Sequence, residues 1–89
     1  MSYRTTIIAT NFTFLYEPMT ELELLIRVGN KIKKLRAEKN MTQYELAVLC
    51  EFEKASMSRL ESGKTNVTIL TLHKISKALD VHISDFFLD

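Results

Sequence analysis

Residues 42–64, TQYELAVLCEFEKASMSRLESGK, constrain the fold more than any other stretch. Thr42 and Glu45 match a capping box, in which each side chain satisfies an orphan N–H of the other's backbone. The spacing places Leu46, Ala47, Leu49 and Cys50 on the buried side of a short helix. Glu51-Phe52-Glu53 is left as a turn, and a second helix is predicted over 54–61. Ser62-Gly63 ends it, because Gly63 takes a positive φ without steric cost. Two helices this short cross tightly only where a small residue lies at the contact, and Ala47 is placed there. Met57 and Leu60 then turn inward, leaving Lys54, Ala55, Ser58 and Arg59 outward, with Ser56 beside them.

Three further helices are predicted around this pair, giving five in all. Thr20 and Glu23 form another capping box, and Pro18 ends the preceding extended region. Leu22, Leu25, Val28, Ile32 and Leu35 recur at helical spacing and are predicted to face the core. Gly29 weakens that helix by about 1 kcal/mol relative to Ala, and so marks a place for close packing. Asn40 is its predicted left-handed stop. Thr68 caps a helix with the apolar face Leu72, Ile75 and Leu79, and Asp80 ends it. Ser84 is predicted to cap a short last helix holding Phe86, Phe87 and Leu88.

Residues 3–16, YRTTIIATNFTFLY, have no helical period and favour extended chain. They read either as a hairpin turning at Thr10-Asn11 or as one extended arm. A lone ribbon is not stable in water and needs its edge covered. Pairing with the arm of a second subunit is the favoured reading, with Ile7, Phe12 and Phe14 as contacts. A loosely packed leader, or Arg4 in a minor groove, are the other readings. The predicted organisation is an arm over 1–19 and a helical domain over 20–89.

The chain of 89 residues suits one domain. One cysteine excludes an internal disulfide framework, and Cys50 reads as a small buried hydrophobe. With two separated histidines it forms no metal-ligand cluster, so neither metal nor cofactor is expected. His73, His82 and the serines make no nucleophilic triad, and Gly29 and Gly63 are too few for a phosphate loop. An enzyme is not expected. Neither a secretory signal nor a membrane span is read, so a soluble cytoplasmic protein is expected.

The net charge of +1 hides an uneven distribution. Nine Lys/Arg against five Glu give residues 26–64 a charge of +4. The segments on either side are negative: Arg4 against three Glu before, two Lys against three Asp after. Basic charge therefore gathers around the helix pair, as expected for a face that meets phosphate. The major groove of DNA admits one α-helix. Small side chains at 55, 56 and 58 would let a helix backbone sit deep in it, with Lys54 and Arg59 reaching base edges.

The segment from about Val28 to Phe87 resembles the Cro/phage-repressor (XRE) helix-turn-helix family. The residues that carry the resemblance are Leu35-Arg36, Thr42-Gln43, Glu45-Leu46-Ala47, Ser58-Arg59-Leu60-Glu61 and Gly63-Lys64. They continue through Thr71-Leu72, Lys74-Ile75 and Lys77-Ala78-Leu79. The resemblance implies an all-α, five-helix lambda-repressor-like domain. It implies base reading by Lys54, Ala55, Ser58 and Arg59, and phosphate contacts from Gln43, Ser62 and Lys64. Gln43 would also brace the first reading residue, and Arg36 would pair with Glu61. Glu51 and Glu53 depart from the family pattern, which has Gly with positive φ at the first position and a Ser or Thr cap at the second.

The expected function is a sequence-specific, DNA-binding transcriptional regulator acting as a homodimer on a near-palindromic operator, by occlusion or recruitment. No effector segment is read, so control would come from concentration or a partner protein. Phe86 and Phe87 join the arm residues as candidate dimer contacts. Two alternatives stay open: a restriction-modification controller, and an antitoxin-like interaction module whose DNA contacts are secondary.

Overall fold

The structure, a computed structural model, describes residues 19–88. Residues 1–18 of the predicted arm, with Arg4, Ile7, Phe12 and Phe14, lie outside the described residues. Among the described residues four α-helices follow one another: α1 (Glu21–Glu38), α2 (Gln43–Cys50), α3 (Lys54–Glu61) and α4 (Ile69–Leu79). No strand occurs among the described residues. The predicted fifth helix is a single 3-10 turn, Ile83–Phe87. It is capped by His82, whose N–H donates to Asp85, rather than by Ser84.

The helix starts follow from local chemistry. Thr20 and Thr42 form complete capping boxes with Glu23 and Glu45, and Thr68 accepts from the Thr71 N–H. The helix ends share one device. Asn40, Glu51, Gly63 and Asp80 all take positive φ, from 56° to 72°. At each, the next residue's N–H reaches back five positions, as from Lys64 to the Arg59 carbonyl at 2.9 Å. This is the left-handed stop that satisfies the last carbonyls of a helix.

The core is contributed by every element. Val28 and Ile32 of α1 meet Leu46, Ala47 and Cys50 of α2, Met57 and Leu60 of α3, and Leu72, Ile75 and Leu79 of α4. Phe86 closes it from the last turn, fully buried. Two predicted core residues lie elsewhere. Leu22 is 59% exposed, because the first turn of α1 faces an open cleft with Val67, Ile69 and Phe87 rather than a filled interior. Leu49 is 56% exposed: at about 100° per residue it lies well off the buried stripe centred on Cys50.

Candidate nucleic-acid interface

Three residues, Glu51, Phe52 and Glu53, separate α2 from α3. Phe52 points back toward the core and its N–H donates to the Ala47 carbonyl at 2.8 Å. Ala47 is 1% exposed and forms part of the core between the helices.

The two faces of α3 have opposite characters. Met57, Leu60 and Glu61 are buried; Lys54, Ala55 and Arg59 are exposed, with Ser58 half-buried beside them. Arg59 receives support from its own helix, its Nη2 lying 3.3 Å from Ser56 Oγ. Ser62 and Lys64 are exposed just past the helix end. The Ser62 hydroxyl donates to the Ser58 carbonyl at 2.8 Å, so it must turn away from that bond to donate to any ligand. Glu51 and Glu53 are exposed at the other end. The face thus carries three cations, Lys54, Arg59 and Lys64, with the two acids gathered at its entry corner.

Behind the face lies a polar cluster. Glu61 is 4% exposed. Its Oε2 accepts from Arg36 Nε at 2.7 Å, and its Oε1 from Arg36 Nη2 at 3.0 Å. This two-pronged pair is the strong geometry for arginine and carboxylate. The hydrogen bond to Glu61 holds the Arg36 guanidinium above its ordinary pKa, against the opposing pull of burial. Arg36 Nη1 also donates to the Met41 carbonyl at 2.9 Å, which ties down the link between α1 and α2. Removing either partner would strand a buried charge, at a cost of about 3–5 kcal/mol.

Gly29 makes the pair possible. A Cβ there would lie 2.6 Å from the Glu61 carbonyl oxygen and 2.7 Å from that of Leu60. The absent side chain lets α1 press on the end of α3, which brings Arg36 within reach of Glu61.

Gln43 is a further member of this cluster: its contact with Lys54 is the brace expected from the resemblance, whereas its contact with Glu61 was not anticipated. Gln43 Nε2 donates to Glu61 Oε1 at 2.9 Å, while Gln43 Oε1 accepts from Lys54 Nζ at 3.3 Å. Gln43 therefore joins the interior pair to the exposed face. Positions 43 and 61 are far apart in the chain, so no local pattern announces their contact. Of the two terminal phenylalanines, Phe86 is withdrawn from any partner by complete burial, because it plugs the core; Phe87 remains 46% exposed. Burial also pushes the Cys50 thiol up from its ordinary value, which keeps it protonated and unreactive. Among the described residues, no group of three metal-ligating side chains comes together, and no helix is long and apolar enough to cross a membrane.

Comparison with known proteins agrees with this geometry. The family model for the Cro/C1-type helix-turn-helix DNA-binding domain matches residues 31–88. The chain is 40% identical over 68 residues to control protein C.MunI of Mycoplasma sp, spanning 75% of this chain and 92% of that one. The crystal structure of the restriction-modification controller protein C.AhdI of Aeromonas hydrophila superposes with a TM-score of 0.69 at 28% identity, covering 71% of this chain and 96% of that one. The wild-type restriction-modification controller protein C.Esp1396I gives 0.66 at 41% identity, covering 72% and 82%. A four-helix domain with a short α2–α3 pair, a polar outer face on α3 and this family match belongs to the Cro/C1-type helix-turn-helix DNA-binding family, and the protein is a transcriptional regulator.

Proposed function

We propose that the protein is a homodimeric controller that reads a near-palindromic operator in the cytoplasm, in the manner of a restriction-modification control protein. The division of α3 into a buried apolar side and an exposed side carrying Lys54, Ala55, Ser58 and Arg59 carries this reading. These residues would read bases, while Gln43, Ser62 and Lys64 hold phosphates and Arg36 with Glu61 braces the frame. The likeness to control proteins supports the regulatory role.

Exposed apolar residues support the dimer. Leu22, Ile69, Leu70, Phe87 and Leu88 are between 46% and 77% exposed. Leu22, Ile69 and Phe87 line one open cleft, and apolar exposure grouped in this way supports a protein contact. Residues 1–19 form the second part of the proposed dimer contact, an arm whose Ile7, Phe12 and Phe14 meet the arm of the second copy. Two α3 helices would then enter successive major grooves about 34 Å apart.

Selection of bound DNA from a random pool tests the reading. The wild-type chain is expected to enrich an inverted repeat and to bind it as two copies, measured by mass in solution. Arg59→Ala should lose about 1–3 kcal/mol and relax one base pair in each half-site, whereas Lys64→Ala should weaken all sequences alike and lower the salt slope by about 1. An equal loss for Arg59→Ala on selected and random DNA would sink the base-reading assignment.

A further inference from the structure

We propose that Glu61, although buried and remote from the outer face, is a positioning residue that decides which base Lys54 prefers; this rests on the DNA-reading role proposed above. An ionised carboxylate only accepts hydrogen bonds. Both Glu61 oxygens accept from the Arg36 guanidinium, at 2.7 and 3.0 Å. The remaining capacity of Oε1 takes the Gln43 amide nitrogen at 2.9 Å. The Gln43 side chain consequently has one orientation. Turned over, it would set its own oxygen against the Glu61 carboxylate and its NH2 group against the Lys54 ammonium.

That orientation sends the Gln43 oxygen outward, where it accepts from Lys54 Nζ at 3.3 Å. A lysine side chain is a flexible stem with three donors. One donor held by Gln43 fixes the direction of the stem and leaves two for acceptors on a base edge. Gln43 Nε2 keeps a second N–H, so bracing Lys54 and donating to a phosphate are compatible. The relay runs from α1 through the end of α3 and the start of α2 back to the first residue of α3.

The experiment compares pool selections for the wild type, Glu61→Gln, Gln43→Met, Lys54→Gln, and Lys54→Gln combined with Glu61→Gln. A glutamine at 61 can donate, which permits Gln43 to turn over and present its NH2 group to Lys54. Glu61→Gln is expected to lower discrimination at one base pair of each half-site roughly tenfold and to leave the other positions unchanged. Gln43→Met, which leaves Arg36 and Glu61 paired, should do the same, and tests the relay if Glu61→Gln does not fold. A glutamine at 54 accepts as well as donates, so the double variant should show the base preference of Lys54→Gln alone. Unchanged preference in Glu61→Gln, or uniform weakening on all sequences, would overturn the inference and leave Glu61 a brace of the fold only. Side-chain amide exchange of Gln43, followed by NMR without DNA, separates the two readings. Loss of its protection in Glu61→Gln upholds the orientation, even if a wild type that enriches no sequence sinks the DNA-reading proposal and the base preference with it. Retained protection overturns the orientation whatever the DNA experiments give.

Discussion

Two corners bound the recognition helix, and they solve one backbone problem with different residues. At the entry, Glu51 takes φ 59°; at the exit, Gly63 takes φ 72°. Both stop a helix through the same backward-reaching N–H bonds, from Phe52 to Ala47 and from Lys64 to Arg59. A left-handed conformation costs an ordinary residue only about 1–2 kcal/mol, so it does not by itself demand glycine. Space makes the difference. A Cβ at Gly63 would lie 2.8 Å from the backbone N and Cα of Ile26, whereas the Glu51 side chain is 84% exposed. Its one ion pair, with Lys74 at 3.6 Å, joins two solvated groups and contributes little. The exit is a packed joint; the entry is a free turn that tolerates a strained residue.

The largest expected effect follows at the exit. Gly63→Ala combines left-handed strain with overpacking against a backbone that cannot swing aside, for a loss of about 2–4 kcal/mol. Urea unfolding would show it as a lowered midpoint with an unchanged slope. A loss below about 1 kcal/mol, no more than strain alone, would erase the distinction between the corners.

This contrast also shows what could be read from the chain. The helix starts were legible because a capping box is local: Thr20 with Glu23 and Thr42 with Glu45 need no knowledge of the rest. The left-handed stops at Asn40, Gly63 and Asp80 were legible for the same reason. Which side of a helix meets a neighbour was less so. Periodicity marks Leu22 as an apolar position but does not say that an open cleft rather than a filled interior lies opposite it, and Leu49 lies off the buried stripe. Phe86 and Phe87 are adjacent and alike, and only the path of the last turn separates the plug from the exposed ring. In the candidate site, the outward set on α3 follows from spacing. The Gln43–Glu61 contact does not, because it joins two positions 18 residues apart that only the packing of α2 on α3 brings together.

An intermediate effect of opposite sign is expected at the entry. Glu51→Gly removes the left-handed strain and loses only an exposed ion pair, but it adds flexibility to the unfolded chain. The balance is a gain of about 0.5–1 kcal/mol, read as a raised unfolding midpoint. The same change removes an acid beside the proposed phosphate path, so affinity for any DNA should rise, most at low salt. Destabilisation instead would show that the Glu51 side chain carries the turn, and the entry would no longer be the free corner.

The smallest effect separates the turn from the helix it starts. Glu53 is the N-cap of α3, yet its side chain makes no capping hydrogen bond. Glu53→Ser should supply that bond, worth about 1 kcal/mol in ordinary helices. It also removes a negative charge from the positive end of a helix, which costs about 0.3–1 kcal/mol at low ionic strength. The net gain should therefore be near 0.3 kcal/mol in dilute buffer. Salt screens the charge term but leaves the short-range cap untouched, so the gain should grow toward ~1 kcal/mol as salt is added. Unfolding midpoints at two salt concentrations measure this directly. A gain independent of salt would mean that the Glu53 carboxylate contributes nothing to the helix start, and that its acidity acts only on the approaching phosphate.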